Sequence, residues 1–247
     1  MKMIITLILS LGIFTQIIAK EKVIAKIPEA SGICFYTLSK TLFVVNDEGS
    51  IYELSKKGKI KREHYLGRFD LEGIACDNEK KLLYLCVEGD DSVLVVDAKS
   101  FNIIKEVPIK RKFNGIKVLK KDKKHGLEAI ELIDDVLYLS NQSYNIYPKE
   151  DSSIVFTIDT LENKKAKITK IFNHGYVDIA ALSYYQNILY MISDNDNLLI
   201  AYDPINEKTI KTYKLPKSSQ EGLCFDDDGK MYIADDRGKI IKMDRVF

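Results

Sequence analysis

The sequence predicts an all-β chain, a five-bladed propeller of four-stranded antiparallel blades. Three observations support this. A short phrase recurs five times, beginning at Ser31, Glu72, Glu128, Ala180 and Glu221, with starts about 41 to 56 residues apart. Each phrase runs into an apolar strand: Leu42–Val45, Leu83–Cys86, Leu137–Ser140, Leu189–Ile192 or Met231–Ala234. A third strand then ends at Ser55, Asp97, Asp159, Asp203 or Asp244. Four repeats add a Lys-rich fourth strand, at 59–67, 102–110, 165–173 and 208–216, and the fifth repeat stops at Phe247 without one. The segment of about residues 21–28, Glu21 to Pro28, reads like the fourth strands and is expected to complete the last blade and close the ring.

Residues 1–19 stand apart from the repeats. Met1, Lys2 and Met3 precede an apolar run from Ile4 to Ala19, the pattern of a secretory signal peptide. The expected division is therefore a signal peptide, 1–19, and one propeller domain, 20–247. The expected location is the periplasm, with an inner-membrane anchor facing the periplasm as the alternative if the segment stays uncleaved. A membrane span needs about 20 apolar residues, which makes this run marginal as an anchor. The whole chain carries a formal charge of +1 and 46% hydrophobic residues. Near-neutrality argues against nucleic-acid binding, which relies on an excess of cations.

Within the repeats, the Asp closing four of the five third strands (Asp97, Asp159, Asp203 and Asp244) suits a turn, because its carboxylate bonds nearby backbone N–H groups. Cys34 and Cys224 occupy one column of the innermost strands and Cys76 the next residue along. Together with Cys86 they read as small buried fillers, expected as free thiols, although an even count in an exported chain also suits disulfides. Two insertions interrupt the period: a basic loop over 117–125, expected to be a solvated face, and a widened hairpin over 144–151 in the third repeat.

Acids gather where the innermost strands begin. Glu72, Glu128 and Glu221 share one column, with Ser31 and Ala180 as departures; Glu29, Asp70 and Asp178 lie two residues earlier. A second column, at the ends of the second strands, holds Asp47, Glu88, Gln142, Asp194 and Asp236. Two carboxylates about 6 Å apart repel by roughly 3 kcal/mol at an effective dielectric of 20. Convergence at a central tunnel therefore calls for protonation, basic partners or a cation. Ca²⁺, which takes about 6–8 oxygen ligands, suits such a site. A hydrated acidic tunnel, its carboxylates bonded to backbone N–H groups, is the simpler reading. His125 and His174 each precede a Gly and an innermost strand, which puts them at the same end. No zinc-type spacing, nucleophile elbow or phosphate-cradling loop is present, and Asp226–Gly229 reads as a hairpin turn.

The phrases Glu29–Ile33, Phe43–Leu54, Asp70–Ala75, Gly126–Ile130 and Glu221–Gly229, in that order, resemble the SdiA-regulated family, the YjiK-like bacterial envelope proteins. The resemblance spans about 22–247. It implies a five-bladed propeller distantly similar to NHL-repeat and phytase-like propellers, and a calcium site. The ligands it favours here are Glu72, Glu128, Asp178 and Glu221, then Asp194 and Glu88. The expected function is a calcium-binding interaction module of the envelope, monomeric, taking a protein or envelope component as partner. The alternative is a calcium-dependent phosphoesterase or esterase-like hydrolase using the tunnel carboxylates.

Overall fold

The computed structural model describes residues 21–122 and 125–243. The leader expected at 1–19 and Asp244 lie outside the described residues. Among the described residues there is no helix, and the strands form five four-stranded antiparallel sheets with two small two-stranded additions. From the axis outwards, blade 1 comprises Ala30–Tyr36, Thr41–Asn46, Ser50–Ser55 and Ile60–Tyr65. Blade 2 comprises Leu71–Asp77, Leu82–Val87, Ser92–Asp97 and Ile103–Pro108. Blade 3 comprises Leu127–Ile133, Val136–Asn141, Val155–Ile158 and Ile168–Phe172. Blade 4 comprises Ile179–Tyr185, Ile188–Ser193, Leu198–Asp203 and Lys208–Lys214. Blade 5 comprises Gln220–Phe225, Met231–Asp235 and Lys239–Met243. Its outermost strand is Glu21–Ala25, which pairs antiparallel with Lys239–Met243. The expected closure of the ring is therefore present. Each innermost strand packs against the next, and that of blade 5 returns to that of blade 1.

The apolar runs are continuous because both faces of each blade are buried. Leu42 and Val44 point into the core shared with blade 5, whereas Phe43 and Val45 point into the core shared with blade 2. In blade 2, Leu83 and Leu85 face back towards blade 1, and Tyr84 and Cys86 face forwards to blade 3. This is the two-residue period of a strand with a different neighbour on each side. Five such apolar cores result, one per interface between blades. The outer strands are exposed and carry lysines, a charged edge that resists pairing with a second chain.

The turn aspartates behave as expected. Asp97 accepts from the Ser100 N–H at 2.7 Å, Asp203 from the Ile205 and Asn206 N–H groups at 3.0 and 2.9 Å, and Asp159 from the Lys167 N–H at 2.7 Å. The cysteines do not all behave as expected. Cys34 and Cys76 form a disulfide, with Cα atoms 5.9 Å apart; Cys86 and Cys224 are free and buried. The physical reason is parity. Cys76 stands one residue further along its repeat than Cys34, and one residue turns a strand side chain to the opposite face. Cys34 therefore looks towards blade 2 and Cys76 back towards blade 1, within the same interface. Cys224, in register with Cys34, looks into the core between blades 5 and 1.

The basic insertion is only partly a solvated face. Lys112–Phe113 and Ile116–Lys117 form a short hairpin, and Val118 and Leu119 behind it are buried. The second insertion docks on it: Asp151 and Ser152 donate N–H groups to the carbonyls of Lys117 and Val118 at 3.0 and 3.2 Å.

Candidate metal centre

Every innermost strand carries a β-bulge at the same place. Register shifts fall between Ala30 and Gly32, Leu71 and Ile74, Leu127 and Ile130, Ile179 and Ala181, and Gln220 and Gly222. The column Ser31, Glu72, Glu128, Ala180 and Glu221 sits inside these bulges. A bulge leaves an extra residue unpaired and re-aims its side chain, which frees this column for work other than sheet packing. The next column is small: Gly32, Gly73, Ala129, Ala181 and Gly222. A Cβ on Gly73 would lie 2.8 Å from the Ala129 Cα, and one on Gly222 would lie 2.6 Å from the Ser31 carbonyl oxygen. The innermost strands thus meet backbone to backbone, and the axial space beside this column is about 10 Å³. That is about the least a single water requires.

A repeated hydrogen bond fixes the second acid column to the first. The N–H groups of Asp47, Glu88, Gln142, Asp194 and Asp236 donate to the carbonyls of Glu29, Asp70, Gly126, Asp178 and Ser219, at 2.8 to 3.3 Å. The ends of the second strands are therefore held at the level where the innermost strands begin.

The acids feel one another across blades. Burial first, then the charges of Glu128, Asp47, Glu221 and Glu88, push the Glu72 carboxyl well above the usual range. Burial, then Glu88, Glu221, Asp178 and Asp47, do the same to Glu128. Glu221 is pushed up to about 9 by burial and then by Asp236, Asp47 and Asp194. Burial followed by Asp70 and Asp47 raises Glu88 to about 7. Burial also lifts Asp47 and Asp194 to about 6, and raises Asp70 and Asp178. Among the described residues, none of these eight carboxylates forms a salt bridge. Arg237 favours the charge of Asp194, and His125 that of Asp178, only at longer range.

All six expected ligands, Glu72, Glu128, Asp178, Glu221, Asp194 and Glu88, therefore lie at one end of the axis. They do not form a single shell. The tight set is Glu72 with Asp47 and Asp70, whose oxygens lie within 4.8 Å of one another. Asp47 and Asp70 were legible as members of the two columns flanking Glu72, but they stand outside the favoured ligand set. Ser31 donates its hydroxyl to Asp47, so Asp47, rather than the exposed Glu29, is the near-axis acid of blade 1. The donor set is all oxygen, which suits a hard divalent cation, and a span below 5 Å fits Ca–O distances of about 2.3–2.6 Å on opposite sides of an ion. One further atom fits that chemistry: the buried Asp178 Oδ1 lacks a hydrogen-bond partner, while its Oδ2 accepts from the Asn195 N–H at 3.1 Å.

The histidines divide. His125 is exposed, with Nδ1 3.5 Å from Asp122. His174 is buried; its Nδ1 accepts from the Tyr176 N–H at 3.1 Å, and burial holds its pKa at about 4, so the ring is neutral. Tyr144, on the second insertion, is 60% exposed, and the charge of Asp178, burial, and the charges of Asp194 and Glu128 raise its phenol. It stands over the acid end.

Known structures share this architecture. Glutaminyl cyclase from Myxococcus xanthus superposes with a TM-score of 0.68 at 11% identity, over 91% of this chain and 94% of that one. A streptogramin B lyase gives 0.54 at 13% identity, over 92% and 97%. Virginiamycin B lyase from Staphylococcus aureus gives 0.50 at 17% identity, over 87% and 65%. Likeness at such identity shows the fold alone. No curated protein matches the sequence. The SdiA-regulated family profile matches residues 13–237, most of the chain, and the chain belongs to that family.

Proposed function

We propose that this protein is a calcium-binding propeller that serves as an exported interaction module of the bacterial envelope, with residues 1–19 as its export signal. The observation that carries the reading is the convergence of eight carboxylates at one end of the axis, without a salt bridge among the described residues. A hard divalent ion answers that repulsion. Asp47, Asp70 and Glu72 would hold it, with Glu88, Glu128, Asp178, Asp194 and Glu221 setting the surrounding negative field. Bound there, the ion supplies positive charge that ties blade 1 to blade 2. The chain's own residues prepare the place: bulges aim the first column inwards, the repeated backbone bonds fix the second, and the small residues beside them close the axis. The face around the exposed Tyr144 and the two insertions offers the contact surface.

The similar structures bear enzyme names, and a metal-assisted hydrolase using the same carboxylates is the rival reading. A screen of the calcium-loaded protein against phosphomonoesters, lactones and aryl esters, repeated with Glu72→Gln, separates the two. The interaction module predicts no turnover above blank. Turnover that requires both calcium and Glu72 defeats it.

A further inference from the structure

All five second strands carry an aromatic side chain at one position: Phe43, Tyr84, Tyr138, Tyr190 and Tyr232. Between blades 1 and 2, Phe43 meets the ring of Phe101 edge-on, with centroids 5.7 Å apart. Phe101, 2% exposed, comes from the last hairpin of blade 2 and packs in one core with Leu83, Val96 and Ala98. The Arg62 guanidinium covers its face at 4.1 Å. Between blades 2 and 3 the same walls recur. Strand registers place Tyr84 at the position of Phe43 and Lys105 at that of Arg62. Leu137 and Ile158 stand where Leu83 and Val96 do. The ring is missing. The last hairpin of blade 3 is longer, and Ala166 ties it to the outer edge of blade 2, donating to the Pro108 carbonyl at 2.9 Å and accepting from the Lys110 N–H at 2.8 Å. Leu161, half-buried, lines the place that Phe101 fills in the neighbouring interface. A cleft of about 440 Å³ remains there, within the size range of small-ligand sites.

The Tyr84 hydroxyl donates to Asp77 at 3.1 Å, which fixes the ring. Among the described residues no other ring pairs with it and no cation covers its face. We propose that this cleft binds a small uncharged aromatic molecule, its ring taking the place that Phe101 fills one interface away, edge-on to Tyr84 and with Lys105 at its face. Such contacts add ring-specific attraction to the burial of apolar area. The mouth selects against charge. Lys80 holds Asp135 at 2.5 Å and Lys105 holds Glu162 at 2.6 Å, so both cations are already answered, and Asp159 adds a third carboxylate. Lys105 can serve a ring while paired, as Arg62 covers Phe101 while bonded to Glu53 at 2.6 Å. The cleft lies at the end of the ring away from the acid columns and owes nothing to calcium.

Calorimetric titration of the full chain with p-cresol tests this. Saturable one-to-one binding is expected. It should be roughly three- to tenfold weaker for 4-methylcyclohexanol, which keeps the size and the hydroxyl but has no aromatic ring. The anion 4-methylbenzoate should bind several-fold more weakly than p-cresol. Tyr84→Leu should erase the preference for the aromatic alcohol over the saturated one. Leu161→Phe lets the chain supply its own ring; it should lose at least about tenfold in affinity for p-cresol and melt no lower than the parent, which separates a filled cleft from a damaged fold. The blocked peptide acetyl-Gly-Tyr-Gly-amide presents the same ring on a polypeptide, and it should bind more weakly than p-cresol. Binding should persist with chelator and in Glu72→Gln, so the calcium reading can fail without touching this one. Absence of saturable binding, equal affinity for 4-methylcyclohexanol, tighter binding of the peptide, or undiminished binding by either cleft variant overturns the proposal.

Discussion

Two acid clusters in this molecule have similar composition and opposite electrostatics. At the hairpin of blade 5, Asp226, Asp227 and Asp228 crowd together as closely as the tunnel acids do. There Lys56 reaches all three at 3.0, 2.7 and 2.6 Å, and Lys40 adds a contact to Asp227 at 3.2 Å. Asp227 is held below the usual carboxylate range by its bonds to Lys56 and Lys40. For Asp226, burial pulls upwards but is outweighed by the Lys230 N–H, Lys56 and Tyr232, and its carboxyl is also lowered. Among the described residues no lysine or arginine forms a salt bridge with the eight tunnel carboxylates, and those eight are raised. Crowding of carboxylates is therefore not a site in itself. What distinguishes the tunnel is that, among the described residues, no cation reaches salt-bridge distance of its acids.

The sharpest way to break this comparison is to remove the tight set. The triple variant Asp47→Asn/Asp70→Asn/Glu72→Gln should lose the whole calcium-dependent rise in melting temperature, and its chelated midpoint should lie above that of the chelated parent. A calcium response that survives the triple change would place the ion elsewhere. Lys56→Met tests the other cluster. It leaves the fully buried Asp226 side chain without its cation, and about 2 kcal/mol of stability should be lost in denaturant melts. Calcium should not restore it; rescue by calcium would make the hairpin a second metal site.

A third test uses pH. The tunnel carboxyls bind protons more tightly folded than unfolded, so between about pH 4 and their raised values the folded chain holds more protons. Stability of the chelated protein must then fall as pH rises through that window, past about 6 for Asp47 and Asp194, 7 for Glu88 and 9 for Glu221. Calcium needs the ionised form, so the gap between loaded and chelated midpoints should widen over the same range. A chelated midpoint that climbs from pH 5 to pH 9 would contradict the assignment. The smallest effect is expected at Glu29→Gln. That side chain is exposed, and its change should shift stability by under about 0.5 kcal/mol, whereas Asp47→Asn should weaken calcium binding measurably by titration.

Much of this was legible in the sequence because a repeat reports on itself. Ring closure by the strand after Glu21, the lysine-bearing edges and the two acid columns all follow from alignment of one repeat with another. What alignment could not report is how neighbouring repeats face each other. The Cys34–Cys76 bond was missed for that reason: the one-residue offset read as a mismatch of columns is the offset that turns the two side chains towards one another. The same limit applies to the acids. The favoured ligands Glu72, Glu128, Asp178, Glu221, Asp194 and Glu88 were drawn from the columns of four repeats, but the compact set joins Asp47, Asp70 and Glu72 from two adjacent blades. The docking of one insertion on the other, through Lys117 and Val118, has no counterpart in the remaining repeats and so left no pattern to read.

The most direct test is a melting curve of the purified chain at neutral pH, with calcium at about a hundredfold excess over its dissociation constant and again with chelator. Occupancy at that excess is worth about 2.7 kcal/mol, or roughly 5–10 °C for a domain of this size. A rise of that order, absent with magnesium-free chelator buffer, is the predicted result. Identical midpoints in the two buffers would mean that the carboxylates settle their repulsion by holding protons, and that no ion belongs at the axis.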